Sequence, residues 1–315
     1  MEGVPASVNA SAIHDIFAGG GEMGKLMRTL DWSSTPLGPV EQWPQSLRTA
    51  ISICLASRFP MLIWWGPELV MLYNDAYCPI LGANKHPKAM GQRGRECWPE
   101  IWHIIGPMLD GVLTCGEATW SYNQMLPLDR NGYVEECYFT FSYSPIRDET
   151  GGISGVFTAV TETTGQVIGE RRLHTLHELA ERSSDAQNAE EVCFIAAKTL
   201  TENAADIPFA LLYLLQEQAT NGTQAVQVGM YGLYPDSESC PMVVNIPQSG
   251  ECSGLWSMAQ VIRTGEPAFI PALPAQLNFT TLQTGNSMPH SALVLPMSRP
   301  GQSIPYGLLV AGIVH

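Results

Sequence analysis

Residues 59–77 read Phe-Pro-Met-Leu-Ile-Trp-Trp-Gly-Pro-Glu-Leu-Val-Met-Leu-Tyr-Asn-Asp-Ala-Tyr. Within them, Met61–Trp65 and Leu69–Tyr73 are rich in the aromatic and branched side chains that favour strands. Gly66-Pro67 lies between the two runs and predicts a turn. Asn74-Asp75 can cap the short helix that would follow. The stretch therefore predicts a β-hairpin that leads directly into a helix, and none of its residues forms a recognisable catalytic arrangement.

The sequence on both sides of this hairpin contains helical and strand patterns. Apolar residues recur at helical spacing from Gln45 to Ser57 and again from Glu100 to Cys115. Asn131-Gly132 is the strongest short-range hairpin signal in the chain. The residues after it alternate in polarity, which predicts a sheet with one packed and one solvated face. The strands predicted in this region are 118–128, 133–145 and 152–161.

The second half of the chain again mixes helices and strands. A helix is predicted at 167–183, where Leu173, Leu176 and Ala180 have the spacing of one helix face. Ser253 is predicted to cap a helix at 254–264 that Gly265 ends. A further helix is predicted at 189–203, and strands are predicted at 209–215, 225–231, 291–297 and 307–314.

Composition excludes several classes of function. A chain of 315 residues corresponds to two domains at ~150 residues each. A hydrophobic content of 45% with 15% charged residues predicts packed cores. The 16 basic and 30 acidic residues give a net charge of −14, which argues against a nucleic-acid partner. No apolar run approaches the ~18 residues of a membrane span, and the N-terminus lacks the pattern of a signal peptide. We therefore expect a cytoplasmic protein without membrane insertion.

The 8 cysteines are scattered along the chain and form no Cys-x-x-Cys pair. They predict neither a zinc site nor a redox dithiol, and no metal ligands are expected. We interpret them as buried free thiols of a cytosolic protein.

The sequence contains no recurring nucleophile, base and orienting group, so the chain is expected to be non-catalytic. Gly19–Lys25 nevertheless has the spacing of a phosphate loop, although Leu26 stands where the motif needs Ser or Thr. Nucleotide hydrolysis at this loop is therefore kept as a weaker alternative.

Six motifs occur in order through the first half of the chain. They are Asp31-Trp-Ser-Ser-Thr-Pro-Leu-Gly-Pro, Trp43-Pro-Gln-Ser-Leu-Arg-Thr, Phe59-Pro-Met-Leu-Ile-Trp-Trp-Gly-Pro-Glu-Leu, Asn74-Asp-Ala-Tyr, Phe139-Thr-Phe-Ser-Tyr-Ser-Pro-Ile-Arg-Asp and Val160-Thr-Glu-Thr-Thr. Through these motifs, residues 22–183 resemble the PAS domain at the front of bacterial multi-domain sensor histidine kinases.

Three further motifs lie in the second half: Val261-Ile-Arg-Thr-Gly-Glu-Pro, Ala292-Leu-Val-Leu-Pro and Tyr306-Gly-Leu-Leu-Val-Ala-Gly. Through them, residues 185–315 are similar to a GAF domain. Pro271-Ala272 stands near the place where such GAF domains often carry an Asp, so an inherited ligand contact there is not expected.

The resemblance implies an α+β fold of two modules, each a mainly antiparallel five-stranded sheet flanked by helices. It implies a flexible lead-in at 1–21, a PAS domain with an N-terminal helical extension at 22–164, a signalling helix at 165–184 and a GAF domain without its C-terminal helix at 185–315. Glu162-Thr163-Thr164 would form the polar corner between the last PAS strand and the signalling helix, with Glu in place of the usual Asp.

A ligand pocket in the PAS module is the site that the resemblance implies, with core packing as the competing interpretation of its aromatic residues. Alternate strand residues point to opposite faces, so at most one of Trp64 and Trp65 faces the pocket. No cofactor is predicted, but haem bound through His103 is an option, because some haem-binding PAS proteins place their axial ligand on this helix. The pocket candidates are Trp64, Tyr73, Asn74, Trp98, Trp102, His103, Phe139, Phe141 and Tyr143.

The sequence thus predicts a non-catalytic sensory input module of a two-component signalling protein. A ligand or partner would bias the helix at 165–184, and the chain would act as a homodimer on a downstream kinase domain or partner protein. The alternative is a dimerisation or protein-interaction module that binds no ligand. The residues expected to relay the signal are Glu162, Thr163, Thr164, Leu173, Leu176 and Ala180.

Overall fold

The computed structural model describes residues 16–19, 21–218, 222–235, 240–246, 256–273, 277–280, 289–299, 301–302 and 304–314. The chain divides into two compact units between Val167 and Ile168. Each unit is an antiparallel sheet flanked by helices, which confirms the two-module α+β class. The lead-in expected at 1–21 lies mostly outside the described residues. Across the described ranges, no helix combines the length and the apolar character needed to cross a membrane.

The first unit contains five α-helices and five strands in its described part, besides three short 3-10 helices at Trp32–Ser34, Val40–Gln42 and Asp75–Tyr77. The helices are α1 (Gly21–Thr29), α2 (Gln45–Ala56), α3 (Cys78–Lys85), α4 (Gly94–Cys97) and α5 (Trp102–Cys115). The strands are β1 (Met61–Trp65), β2 (Val70–Tyr73), β3 (Thr119–Asp129), β4 (Val134–Arg147) and β5 (Ile153–Glu162). They form one sheet in the order β2-β1-β5-β4-β3, with every neighbouring pair antiparallel. This is the five-stranded sheet that the sequence predicts for this module.

Both predicted hairpins of the first unit are present. β1 and β2 pair with Trp65 opposite Val70, and the strand begins one residue later than predicted because Leu69 takes a left-handed conformation in the turn, with φ of 49°. β3 and β4 pair from Asp129 and Val134 around the Asn131-Gly132 turn, where Gly132 has φ of 93°. A positive φ is the conformation for which turns select glycine, so the signal read from the sequence has a direct structural cause.

The N-terminal extension of the first unit packs through aromatic side chains. Trp32 and Trp43 meet edge to face with ring centroids 4.9 Å apart, and Phe17 lies 5.9 Å from Trp43. The buried face of α2, which includes Leu47 and Ile51, continues this core toward β1. The extension is therefore part of the first unit's core.

The second unit has a six-stranded sheet, one strand more than expected. Helix α6 (Thr164–Ser183) crosses the boundary between the units, and α7 (Ala189–Glu202) and α8 (Met258–Thr264) follow. The strands are β6 (Ala210–Gln218), β7 (Gly222–Tyr231), β8 (Val243–Ile246), β9 (Ala268–Ile270), β10 (Ser291–Met297) and β11 (Gly307–Ile313), in the order β8-β7-β6-β11-β10-β9. The strands that the sequence did not predict are β8 and β9, which are only 4 and 3 residues long.

Helix α8 differs from its prediction at its start. It begins at Met258 and ends at Gly265, which has φ of 69° as a helix-ending glycine should. The predicted cap Ser253 and the first predicted residue Gly254 lie outside the described residues.

The prediction of buried thiols holds for most of the described cysteines. Five of them are buried, Cys78 is partly buried and Cys115 is exposed. Cys115 is the last residue of α5, just before Gly116 ends the helix in a left-handed conformation, so the sheet does not cover it. Cys252 lies outside the described residues.

Asn74 is a buried side chain that satisfies backbone groups from three segments. Its Nδ2 group lies 3.1 Å from the carbonyl oxygens of Cys54 and Ser57 and 2.7 Å from that of Phe59. Its Oδ1 atom accepts from the backbone N–H of Met61 at 3.1 Å and, as the predicted cap, from the N–H of Tyr77 at 3.2 Å. One amide thus ties the end of α2 to the start of β1 and to the turn after β2.

Asn74→Ala is predicted to lower the free energy of unfolding of the first unit by about 3 kcal/mol, because it leaves several buried backbone groups without partners. Urea denaturation of the whole chain, followed by tryptophan fluorescence, measures this. Asn84→Ala is the matched control, since Asn84 is exposed on α3; it should change stability by less than about 0.5 kcal/mol. Equal effects of the two substitutions would contradict the role given to Asn74.

Candidate functional site

An apolar cavity lies inside the first unit, between the sheet and the helices on one side of it. β1, β4 and β5 supply one wall through side chains that share a sheet face: Leu62, Trp64, Phe139, Phe141, Tyr143 and Thr158. The opposite wall is formed by Tyr77, Ile80, Trp98, Ile101 and Ile105. The aromatic strand residues that the sequence placed in a pocket are therefore brought together with Ile105 of α5 around one space.

The cavity is small for a ligand site. Its volume is about 40 Å³, whereas sites for drug-sized ligands measure about 300–1,000 Å³. A buried water needs roughly 10–15 Å³, so the space fits a few waters or one compact molecule. A flat tetrapyrrole does not fit this space.

Trp64 is held in the cavity wall by a buried hydrogen bond. Its indole Nε1 donates to Oγ1 of Thr158 at 2.9 Å, across the paired strands β1 and β5. Trp65, one residue later, is also buried but does not line the cavity. Strand alternation thus sends these two indoles to opposite sides of the sheet.

Two tyrosines add hydroxyl groups to the apolar lining. Burial raises the pKa of Tyr77 well above its ordinary value, and a side-chain hydrogen bond from Trp98 acts against this shift. Burial also raises the pKa of Tyr143, which packs against Phe141 with ring centroids 4.8 Å apart. Tyrosine hydroxyls are protonated at neutral pH, and these shifts keep them so, which leaves both groups able to donate hydrogen bonds.

Four of the predicted pocket residues lie elsewhere. Tyr73 is buried on β2, and its hydroxyl lies 3.1 Å from Nδ1 of His86. The side-chain amide of Asn74 is hydrogen-bonded to backbone groups. Trp102 packs behind Trp64 with ring centroids 6.3 Å apart. None of the four appears in the lining of the cavity.

His103 is the fourth of these residues, and its position argues against the haem option. It is exposed, whereas Ile101 and Ile105 on either side of it line the cavity. Residues two apart on a helix differ by about 200° in direction, so the imidazole points away from the space that α5 covers.

Sequence reasoning missed several lining residues, among them Leu126 and Leu128 of β3 and Val160 of β5. The alternation of side chains along the strands could have predicted them. Leu126 pairs with Cys137 and Val160 with Phe141, so each follows the two-residue period of the wall.

A cluster of ion pairs lies at the corner where β5 leads into α6. Nη1 and Nη2 of Arg130 each donate to a different carboxylate oxygen of Glu162 at 2.9 Å, and Nε donates to Glu135 at 3.0 Å. Oγ1 of Thr164 donates to Glu162 at 3.0 Å and accepts from the backbone N–H of Tyr138 at 2.9 Å. Two of the predicted relay residues, Glu162 and Thr164, thus meet in one network around Arg130, a residue that the sequence did not indicate.

The charge of Glu162 depends on this network. Burial disfavours its charged form, but the hydrogen bonds and the positive charge of Arg130 outweigh burial, so the pKa of Glu162 lies below its ordinary value. Hydrogen bonding to Glu162 in turn raises the pKa of Arg130. The pair is therefore charged throughout the neutral range.

The remaining predicted relay residues do not join this network. Oγ1 of Thr163 is buried and has no hydrogen-bond partner among the described residues. Leu173 and Leu176 are 67% and 58% exposed, and Ala180 is exposed as well. The buried face of α6 is instead marked by Thr175, whose hydroxyl accepts a hydrogen bond from Asn203 at 3.2 Å.

In the loop considered as a phosphate site, the backbone N–H groups at the start of α1 already donate to the Asp75 carboxylate. One carboxylate oxygen of Asp75 accepts from the backbone N–H of Glu22 at 2.7 Å and of Met23 at 3.1 Å, at the start of α1. A phosphate would need these donors and would meet a negative charge beside them. This arrangement argues against the phosphate-loop alternative at Gly19–Lys25.

Comparisons with known proteins give similarities of fold only. No protein-family model matches the chain, and no curated protein matches it. The GAF domain of a phosphoenolpyruvate-protein phosphotransferase from Acinetobacter is 15% identical, with 46% of this chain and 78% of that chain covered and a TM-score of 0.32. A sensory box sensor histidine kinase from Vibrio cholerae is 19% identical, with 37% of this chain and 91% of that chain covered and a TM-score of 0.27.

The chromophore-binding domain of a bacteriophytochrome from Stigmatella aurantiaca matches across both units. It is 12% identical, with 81% of this chain and 85% of that chain covered and a TM-score of 0.30. TM-scores of this size show no more than a general likeness of fold.

Glu162→Gln is predicted to reduce the pH dependence of stability. Because the pKa of Glu162 is lowered by folding, its ion pair stabilises the protein above the unfolded pKa of ~4.3, and this stabilisation is lost as pH falls through the folded pKa. The free energy of unfolding of the wild type should exceed that of Glu162→Gln by about 1 kcal/mol at pH 7. This difference should shrink below pH ~4. Urea denaturation between pH 3 and 7 measures it. Glu117→Gln, at an exposed carboxylate after α5, is the control, and a pH-independent difference would contradict the assignment.

Proposed function

We propose that this chain is a non-catalytic sensory input module of a two-component signalling protein, with a PAS-like first unit and a GAF-like second unit. A small ligand in the cavity of the first unit changes the packing at the start of α6. The change passes along the helix at 165–184 to a downstream kinase domain or partner protein. The module works in the cytoplasm as a homodimer.

The observation that carries this proposal is a continuous series of contacts from the cavity wall to α6. It starts at Trp98, which lines the cavity and whose ring centroid lies 4.6 Å from Nζ of Lys85. Lys85 also donates to the carbonyl of Cys97 at 2.5 Å and pairs with Glu100 at 2.9 Å. Its side chain is only 13% exposed, so a displacement of Trp98 disturbs a partly buried cation.

The next contacts lead to the end of β3. Glu100 accepts a hydrogen bond from the backbone N–H of Asp129 at 3.2 Å. Arg130 follows directly and holds Glu162, the last residue of β5, through two parallel hydrogen bonds. A two-point pair between a guanidinium and a carboxylate fixes the orientation of both groups.

The last contact reaches the signalling helix itself. Glu162 accepts from Thr164, the first residue of α6, and the N–H of Val167 bonds to the carbonyl of Thr163 at 3.0 Å. Coupling between sites travels through packed and hydrogen-bonded groups of this kind. A change at Trp98 therefore has a physical route to the first turn of α6.

The second candidate function is a protein-interaction module that binds no ligand. The observation in its favour is the apolar surface of the described chain, which includes Leu173 and Leu176 on α6 and Trp120, 70% exposed, on β3. Such side chains suit a dimer interface without any occupant of the cavity.

A double-mutant cycle tests the coupling. Trp98→Phe keeps an apolar wall but removes the indole under Lys85, so amides 167–171 of α6 should exchange faster with solvent. In a Glu162→Gln background this effect should largely disappear, with a coupling of roughly 0.5–2 kcal/mol, or about two- to thirtyfold in exchange. Hydrogen exchange of the whole chain measures it.

Two further variants control this cycle. Lys85→Met perturbs the same route and leaves the cavity wall intact, so it should also couple to Glu162→Gln. Glu68→Gln removes a carboxylate 2.7 Å from Arg93 on the surface, away from the route, and should not couple. Additive effects of Trp98→Phe and Glu162→Gln would refute the proposed transmission.

The output is tested by joining the chain, through α6 in its native phase, to the catalytic core of a histidine kinase. Glu162→Gln should change the autophosphorylation rate several-fold, while Glu68→Gln should leave it unchanged. If neither changes the rate and light scattering shows a stable ligand-free dimer, the interaction module is the better description.

A further inference from the structure

We infer that the cavity of the first unit binds a compact, neutral molecule that carries a hydrogen-bond acceptor, such as a small carbonyl compound, and that Tyr143 donates to it. This inference rests on the proposed function and names the class of ligand for the same cavity. It is drawn from the polar groups that the lining leaves without partners.

Tyr143 is the residue that points to a ligand. Its side chain is 4% exposed and belongs to the lining of the cavity. Among the described residues, its hydroxyl has no hydrogen-bond partner, and its close neighbour is the ring of Phe141. The hydroxyl borders the open space of an apolar cavity, so a molecule that accepts from it there gains more than the same contact would give in water.

Two other hydroxyl groups of the lining act as acceptors toward the wall. Oγ1 of Thr158 accepts from Nε1 of Trp64 at 2.9 Å, and Tyr77 accepts from Trp98. Their oxygens thus help to hold the indoles, whereas the hydroxyl of Tyr143 has no such contact with a described neighbour. One polar contact on an otherwise apolar surface is the usual pattern of a small-molecule site.

The charge of the ligand follows from the lining. The lining contains no Asp, Glu, Lys, Arg or His among the residues that the structure describes. A charged molecule would lose its hydration and find no opposite charge, which is a large penalty in an apolar cavity. The ligand is therefore neutral.

Tyr143 can donate the hydrogen bond to the ligand. A phenol is protonated at neutral pH, and burial raises the pKa of Tyr143 further, so the group keeps its proton. Thr158 and Tyr77 are also hydroxyl groups, and no carboxylate, imidazole or side-chain amide lines the described cavity. An acceptor on the ligand, such as a carbonyl oxygen, matches these donors.

The size of the ligand follows from the volume. A space of about 40 Å³ corresponds to two to four waters at roughly 10–15 Å³ each. It therefore suits a molecule with few non-hydrogen atoms.

Three probes of nearly equal shape test the inference: acetone, isobutene and acetate. Acetone offers a carbonyl oxygen, isobutene replaces that oxygen with a methylene group, and acetate adds a negative charge. Each is titrated into the whole chain, and the methyl resonances of Leu62, Ile105 and Val160, which line the cavity, report occupancy by NMR.

Tyr143→Phe should weaken acetone binding about tenfold, because one hydrogen bond to a buried donor is lost. The same substitution should leave isobutene binding unchanged or slightly stronger, which controls for any change in cavity shape. Acetate should not bind either protein. Tyr73→Phe is the matched control, since it removes a buried hydroxyl of the same unit that lies outside the cavity, and it should leave acetone binding unchanged.

Three outcomes would overturn the inference: acetone binding that does not respond to Tyr143→Phe, acetate binding tighter than acetone, or no binding of any probe. The last result would mean that the cavity holds water only. If acetone binds as expected while the exchange of the α6 amides stays unchanged, the proposed function fails and the ligand class stands. If no probe binds but Trp98→Phe and Glu162→Gln are coupled, the ligand class fails and the proposed function stands.

Discussion

The buried amide of Asn74 fixes the register from which the first unit is built. By accepting from the N–H of Met61 and donating to three carbonyls at the end of α2 and beyond it, it sets where β1 begins. Side chains alternate along a strand, so a shift of β1 by one residue would exchange the positions of Trp64 and Trp65. The hydrogen bonds of Asn74, which lies outside the cavity, thus determine that Trp64 and not Trp65 contacts Thr158.

The cavity and the corner are two ends of the same packing arrangement. Large aromatic side chains from β1 and β4 fill most of the space beneath α5 and leave a volume of about 40 Å³. The charged side chain of Lys85 contacts Trp98 of this wall. Lys85 pairs with Glu100, and Glu100 accepts a hydrogen bond from the backbone of Asp129, the residue before Arg130. An apolar interior for recognition and a partly buried ion-pair network for transmission therefore meet at Trp98.

The sequence indicates the parts of this arrangement that depend on local patterns. Strand alternation and the Asn131-Gly132 turn predict the first sheet and four of the cavity residues, which are Trp64, Phe139, Phe141 and Tyr143. The contacts of Arg130 with Glu162, of Lys85 with Glu100 and of Asp75 with the start of α1 were not predictable, because no periodic pattern links residues so far apart in sequence. His103 was chosen for its chemistry, but its place on α5 opposite Ile101 and Ile105 decides its exposure. The short strands β8 and β9 lack enough residues for a period to emerge.

The capping of α1 by Asp75 has a consequence for the order in which the protein is made. The carboxylate that completes α1 lies 53 residues after the N–H of Glu22 that it binds. During synthesis, α1 leaves the ribosome well before its cap, and the hairpin of β1 and β2 must follow before the helix end is satisfied. Contacts of such separation close slowly because the intervening chain must first be ordered. Helix α1 is thus completed late, and chains that stop before residue 75 would carry it unfinished.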